Sequence, residues 1–93
     1  MSRSDQFEWD DDKAAANEAK HGIPFTLAAR ACLDPRAVIL PDPYPAEERF
    51  RIIGHVGNGL IIFVVTTDRE ERTRIIGARM ATPAEADLYL TSS

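Results

Sequence analysis

Arg72, Arg74 and Arg79 crowd one short apolar run, Arg72-Thr73-Arg74-Ile75-Ile76-Gly77-Ala78-Arg79, in a chain whose formal net charge is -4. A guanidinium is a planar fork of donors that keeps its charge at any working pH, so a cluster of them suits phosphate. Residues two apart on a strand leave the same face, which pairs Arg72 with Arg74 and, by strict alternation, sends Arg79 to the opposite side. A bulge at Ile76-Gly77 would insert one extra residue and return Arg79 to the arginine face. The plainer alternative is that these arginines pair with Asp68, Glu70, Glu71 or Glu48 as solvated ion pairs, each worth about 0 to 1 kcal/mol.

Lys20-His21-Gly22 is the second candidate. A histidine can take and give a proton near neutrality, and the adjacent lysine could hold a phosphate oxygen. The same three residues also fit an ordinary helix end, with basic side chains at the negative pole of the helix dipole and glycine as the C-cap. His55 has no neighbour that resembles a catalytic partner. With two histidines far apart and the single Cys32 in an apolar stripe, neither zinc-ligand spacing nor a thiol nucleophile beside a base is present, and no cofactor is expected. No glycine-rich phosphate loop follows a strand; Gly57-Asn58-Gly59 reads as a hairpin turn.

The elements that must position these groups follow from the hydrophobic pattern. Phe7-Glu8-Trp9 alternates as a short strand. Asp10 is a good N-cap, Asp11 and Asp12 suit a first turn, and the helix through Lys13 to His21 ends at Gly22. Ile23-Pro24 opens a second helix with Phe25, Ala28, Ala29, Cys32 and Leu33 on one stripe, stopped by Asp34-Pro35. The period then changes. Ala37 to Leu40 is a short strand, and Pro41, Pro43 and Pro45 mark an irregular surface loop. Glu48 to Val56 alternates, with Phe50, Ile52 and Val56 on one face and Arg49, Arg51 and His55 on the other. Leu60 to Thr67 is apolar throughout, as a central strand would be. A charged turn, Asp68 to Glu71, leads to the arginine strand. Thr82-Pro83-Ala84-Glu85 is a capping box that starts a terminal helix carrying Ala86, Tyr89 and Leu90.

The predicted fold is α+β: a short N-terminal strand and a four-strand meander forming a small antiparallel twisted sheet, with two N-terminal helices and a short C-terminal helix. A chain of 93 residues suits one domain, placed at residues 7 to 91, with tails at 1 to 6 and 92 to 93. Hydrophobic content of 44% and charged content of 28% are those of an ordinary globular protein. The pI near 5.0 counts against a broad nucleic-acid-coating surface, so any phosphate chemistry must be local. No apolar run of the roughly 18 residues needed to span a membrane occurs, and a soluble cytoplasmic protein is expected.

Taken together, Phe7-Glu8-Trp9-Asp10, Lys13, Asn17, Lys20-His21-Gly22, Phe25, Ala28, Asp34-Pro35, Glu48-Arg49-Phe50, Ile53-Gly54, Arg72-x-Arg74-Ile75-Ile76-x-Ala78-Arg79-x-Ala81, Glu85 and Tyr89 resemble the BrnT family of small bacterial toxins, in order and spacing over about residues 7 to 89. The resemblance implies a RelE-like fold and a metal-independent endoribonuclease toxin of a type II toxin-antitoxin pair. Its partner would be a BrnA-like ribbon-helix-helix antitoxin, in an expected heterotetramer that touches DNA only through the antitoxin. In such a site Arg72, Arg74 and Arg79 would bind the scissile phosphate of RNA, His21 or Glu48 would carry the proton, and Lys20, Arg49 and Tyr89 would assist in binding. The chain departs from the pattern at Met80, at Gly77 where serine is commoner, and in the acidic Pro83-Ala84-Glu85-Ala86-Asp87 helix start where relatives are basic. The alternative function is a catalytically weak homologue that binds the antitoxin and tunes promoter repression.

Overall fold

Local chemistry sets where each helix begins and ends. The computed structural model describes residues 2, 3 and 6–92. Strand β1 (Ser2–Arg3) and strand β2 (Phe7–Trp9) precede helix α1 (Asp11–His21). The Asp10 carboxylate accepts from the Asp12 and Lys13 N–H groups at 2.8 and 3.2 Å, and Gly22 closes the helix in the left-handed region at φ 73°. Helix α2 (Phe25–Cys32) buries Phe25, Ala28 and Ala31. The sequence pattern adds Ala29, Cys32 and Leu33 to that stripe; Ala29 and Cys32 do pack partly buried against the core, and Ala31 is the buried residue it leaves out. Leu33, the C-cap, keeps helical backbone, lies on the side of the helix away from Ala31 and is 57% exposed.

Strands β3 (Val38–Asp42), β4 (Arg49–His55), β5 (Ile61–Arg69) and β6 (Arg72–Met80) follow, then helix α3 (Pro83–Thr91), which starts at the predicted Thr82–Glu85 capping box. The strand order is β1-β2-β6-β5-β4-β3. The meander is antiparallel as expected, but β2 joins β6 in parallel, so the sheet is mixed. The intervening helices and strands supply the long crossover that parallel pairing needs. Part of the expected N-terminal tail is strand, since Ser2–Arg3 pairs with Trp9 and Glu8. The rest of the expected tails, at positions 1, 4, 5 and 93, lies outside the described residues. Pro41, expected in the loop, extends β3, which a proline can do on an edge strand where no ladder N–H is required.

One face of the sheet is the core. Ile52, Ile62, Val64, Ile75 and Ala78 pack with Phe7 under Phe25, Ala28 and Ala31 of α2. The helix comes so close that a Cβ placed on Gly54 would lie 2.1 Å from the Ala31 carbonyl oxygen, so the helix backbone rests directly on the strand. Asp34, just past α2, ties three segments together: its carboxylate accepts from the N–H of Arg36 (2.9 Å), the N–H of His55 (2.8 Å) and the hydroxyl of Tyr89 on α3 (2.5 Å). Two hairpin ends differ in chemistry. Gly57, Asn58 and Gly59 all have positive φ, with residue types that tolerate it. Glu70 and Glu71 also have positive φ, 54° and 72°, in a two-residue turn that ordinarily selects Asn-Gly. Among the described residues no helix is long and apolar enough to cross a membrane.

Gly54→Ala is expected to lower unfolding free energy by about 1 to 3 kcal/mol through overpacking, read from urea denaturation; unchanged stability would show that α2 does not press on β4. A pH effect follows from Asp34. Burial pushes its carboxyl up, but the bonds from Tyr89, Arg36 and His55 outweigh this and hold it below its ordinary 3.8. Its contribution is therefore complete above that ordinary value and is lost as pH falls through the lower folded value. The melting temperature should drop on acidification below about pH 4, and Asp34→Asn should flatten that drop.

Candidate active site

The register between β5 and β6 slips by one residue between Val65 and Thr66: Val65 faces Gly77 while Thr66 faces Ile75. Ile76 is the additional residue of a β-bulge. Facing partners across a ladder share a side of the sheet. Arg72, Arg74 and Arg79 stand opposite Arg69, Thr67 and Phe63, so all three lie on one face with Arg69. On the next strand Arg49 and Arg51 face Thr67 and Val65, which adds them to the same side. Every arginine of β4, β5 and β6 thus projects from the face opposite α2, so a chain of net negative charge gathers six arginines on one side of its sheet.

The bulge is held from outside the sheet. β2 pairs with β6 only through Thr73 and Arg74, which leaves the later edge of β6 without a strand. Asn17 of α1 takes its place, donating to the Ala78 carbonyl at 2.8 Å, accepting from the Ala78 N–H at 3.1 Å and donating to the Ile23 carbonyl at 3.1 Å. A carboxamide matches a peptide group donor for acceptor, so this clamp satisfies both Ala78 backbone groups. It also brings the end of α1 beside Arg79. Asn17, His21, Phe63, Gly77 and Arg79 line a hollow of about 180 Å³. The Arg79 guanidinium lies 4.0 Å over the Phe63 ring and is bound through both terminal nitrogens by Glu85, at 2.8 and 3.0 Å. The hydrogen bond from Arg79 holds the Glu85 carboxyl below its ordinary value, against the opposing effect of burial.

Arg74 opens into a different depression. A cleft of about 500 Å³ is lined by Lys13, Glu47, Arg49, Asp68, Arg69 and Arg74 among others. Arg74 is joined to Glu8 of β2 at 2.8 Å, and Glu8 is only 7% exposed. Arg49 stacks on the Tyr44 ring at 3.7 Å and pairs with Glu47 at 2.9 Å, while Arg51 pairs with Asp42 at 2.8 Å.

Of the residues singled out by type, the fold brings His21 and Arg79 together in the hollow, and Arg49 and Arg74 together in the cleft. Arg72 shares their face at the turn end of β6. Lys20 is exposed and lines neither depression. Glu48 is exposed just before β4, contributing its backbone carbonyl to the Thr67 hydroxyl at 2.7 Å, and its neighbour Glu47 faces the cleft instead. The Tyr89 hydroxyl is engaged by Asp34, which raises its pKa, so this side chain fastens α3. The single Cys32 is buried enough to push its thiol up to about 12. Asn17, Arg69 and the partners Glu8 and Glu85 were not legible as site residues. Asn17 and Glu85 look like ordinary helix residues until the bulge puts Ala78 and Arg79 beside them.

Comparison with known proteins identifies the fold and the family. A family model described as the ribonuclease toxin BrnT of type II toxin-antitoxin systems matches residues 9–85. The 1.1 Å crystal structure of the Brucella abortus ribonuclease toxin BrnT is similar to this chain, with a TM-score of 0.67 and 27% sequence identity, over 85% of this chain and 99% of that one. No curated protein matches. The family match runs from β2 through the first turn of α3 and takes in the Asn17 clamp, His21, the bulge and Arg79; the chain belongs to the BrnT family of ribonuclease toxins of type II toxin-antitoxin systems.

Proposed function

We propose that this chain cleaves RNA internally, without a metal ion, by attack of a ribose 2′-hydroxyl on the adjacent phosphorus in the hollow between the end of α1 and β6. The observation that carries the proposal is the meeting of His21 and Arg79 there. The His21 imidazole takes the 2′-hydroxyl proton as the new O–P bond forms. The bond to the 5′-oxygen breaks, and a proton returns to that leaving oxygen, giving a 2′,3′-cyclic phosphate and a 5′-hydroxyl. Arg79 stabilises the charge that builds on the phosphorane oxygens, a role suited to a guanidinium already braced against Phe63. Because the nucleophile belongs to the substrate, the protein's tasks are positioning, proton transfer and charge stabilisation.

The partner implied by the family is an antitoxin. A BrnA-like ribbon-helix-helix protein is the proposed one, laying acidic or apolar segments across the arginine face and forming a heterotetramer with the toxin, with DNA contacted through the antitoxin alone.

A second reading is favoured by the ion pairs. Glu85 occupies both terminal nitrogens of Arg79, and Glu8 engages Arg74, so a substrate phosphate must compete with carboxylates already in place. A chain in which the carboxylates win is an antitoxin-binding module with little nuclease activity.

Purified chain incubated with RNA in the presence of EDTA should generate cyclic-phosphate ends, and His21→Ala and Arg79→Ala should each slow this by about 100-fold or more. Cleavage at parental rate by both variants would remove the hollow from the mechanism; no cleavage by the parent, with tight antitoxin binding, would establish the second reading. Glu85→Gln retains the capping hydrogen bond and should tighten RNA binding about fivefold, the equivalent of ~1 kcal/mol from releasing a partly exposed pair, measured by fluorescence anisotropy.

A further inference from the structure

We propose that the cleft formed by Lys13, Arg49, Arg69 and Arg74 is a second phosphate subsite, which holds a nucleotide flanking the cleaved bond rather than the scissile phosphate itself. This rests on the RNA-cleaving reading of the hollow at Arg79. The sequence pattern treats Arg72, Arg74 and Arg79 as one phosphate clamp. The fold divides them. Arg74 and Arg79 stand opposite Thr67 and Phe63, four residues apart on β5, which at about 3.3 Å per residue is roughly 13 Å. Their guanidinium groups are also drawn in different directions, Arg74 toward Glu8 on β2 and Arg79 toward Glu85 on α3. Two fixed cations so arranged address two phosphates.

α1 repeats this spacing independently. Lys13 lines the cleft and His21 lines the hollow, eight residues apart on one helix, which at about 1.5 Å per residue is roughly 12 Å. Helix and strand therefore run side by side, each contributing one basic group at either end, and a single strand of RNA following the bulged strand would meet both sites in turn. The cleft draws its cations from four elements: Lys13 from α1, Arg49 from β4, Arg69 from β5 and Arg74 from β6. Its carboxylates are Glu47, which is paired with Arg49, and Asp68. Among the described residues no carboxylate pairs with Lys13 or Arg69, so the cleft keeps positive charge available to a ligand. At about 500 Å³ against about 180 Å³ it is also the roomier of the two and accepts a nucleotide without stringent fit. The two sites have different work: the hollow performs the chemistry, and the cleft sets which bond reaches it.

The test uses two probes with the intact chain and the variants Lys13→Ala/Arg69→Ala and Arg49→Ala, which leave the buried Glu8–Arg74 pair undisturbed and are checked by thermal melting. The first probe is a short oligodeoxynucleotide, which lacks the 2′-hydroxyl and is bound but not cut. Its affinity should fall in the double variant, and the slope of log affinity against log salt should become shallower by about 0.7 for each phosphate no longer neutralised. The second is an RNA with one cleavable ribose and a neutral methylphosphonate placed at each flanking position in turn. One flanking position should raise KM about tenfold in the parent with kcat nearly unchanged, and that same position should make no further difference in the double variant. Unchanged salt slope and unchanged KM in folded variants of a cleaving parent would overturn the subsite while leaving the nuclease reading intact. A changed slope in a parent that cuts nothing would overturn the nuclease reading and, with it, the flanking role assigned to the cleft.

Discussion

One surplus residue governs what this sheet can present. Without Ile76 as an insertion, Arg79 would point into the core beside α2, where a guanidinium has no partner and burying it would be prohibitive. With it, Ile75 and Ala78 both reach the core, and Arg74 and Arg79 both reach the opposite side. A bulge leaves the local ladder incomplete, and here the Asn17 carboxamide completes it from a neighbouring helix. The clamp and the shape of the hollow are therefore inseparable: the side chain that satisfies Ala78 also fixes how far the end of α1 stands from Arg79. Gly77 takes no part through unusual backbone, and a Cβ there would meet Asn17 Oδ1 only at 3.7 Å. The glycine leaves the hollow open.

The electrostatics follow the same division. A protein with net charge -4 collects its sheet arginines on one face and then places carboxylates from β2, β3, the loop before β4 and α3 against them. These pairs differ in kind. Arg51–Asp42 is partly exposed and contributes little, whereas Glu8 is largely buried and depends on Arg74 to be tolerable where it is. Arg79–Glu85 is exposed to a degree similar to Arg51–Asp42 and also takes part in capping α3. The acidic start of α3 thus has a concrete structural partner in Arg79.

Much of this was readable from residue types. Asp10, Gly22, Thr82 and Glu85 marked helix ends because capping depends on chemistry within three or four residues, and the alternation of Arg49, Phe50, Arg51 and Ile52 marked the two faces of β4. The bulge expected at Ile76-Gly77 is where the ladder slips, with Ile76 as the extra residue. What could not be read depends on contacts distant in sequence. The parallel pairing of β2 with β6 joins segments more than sixty residues apart. Ala31, not Leu33, is buried because Gly54, more than twenty residues on, lets the Ala31 backbone rest against β4. Tyr89 stood among the candidate binding residues, and nothing local in the sequence shows that Asp34, fifty-five positions away, holds its hydroxyl. The arginines formed a recognisable set, yet only the register separated them into hollow and cleft.

Glu70 and Glu71 adopt a backbone conformation that disfavours L-residues with side chains by roughly 1 to 2 kcal/mol apiece. Opening the last rungs of the β5–β6 hairpin relieves that penalty, so amide protons near Arg69 and Arg72 should exchange with solvent well before those of Val64 and Ala78. Any fraying of the arginine strand is thereby directed to its tip, beside the cleft, and away from the bulge that places Arg79.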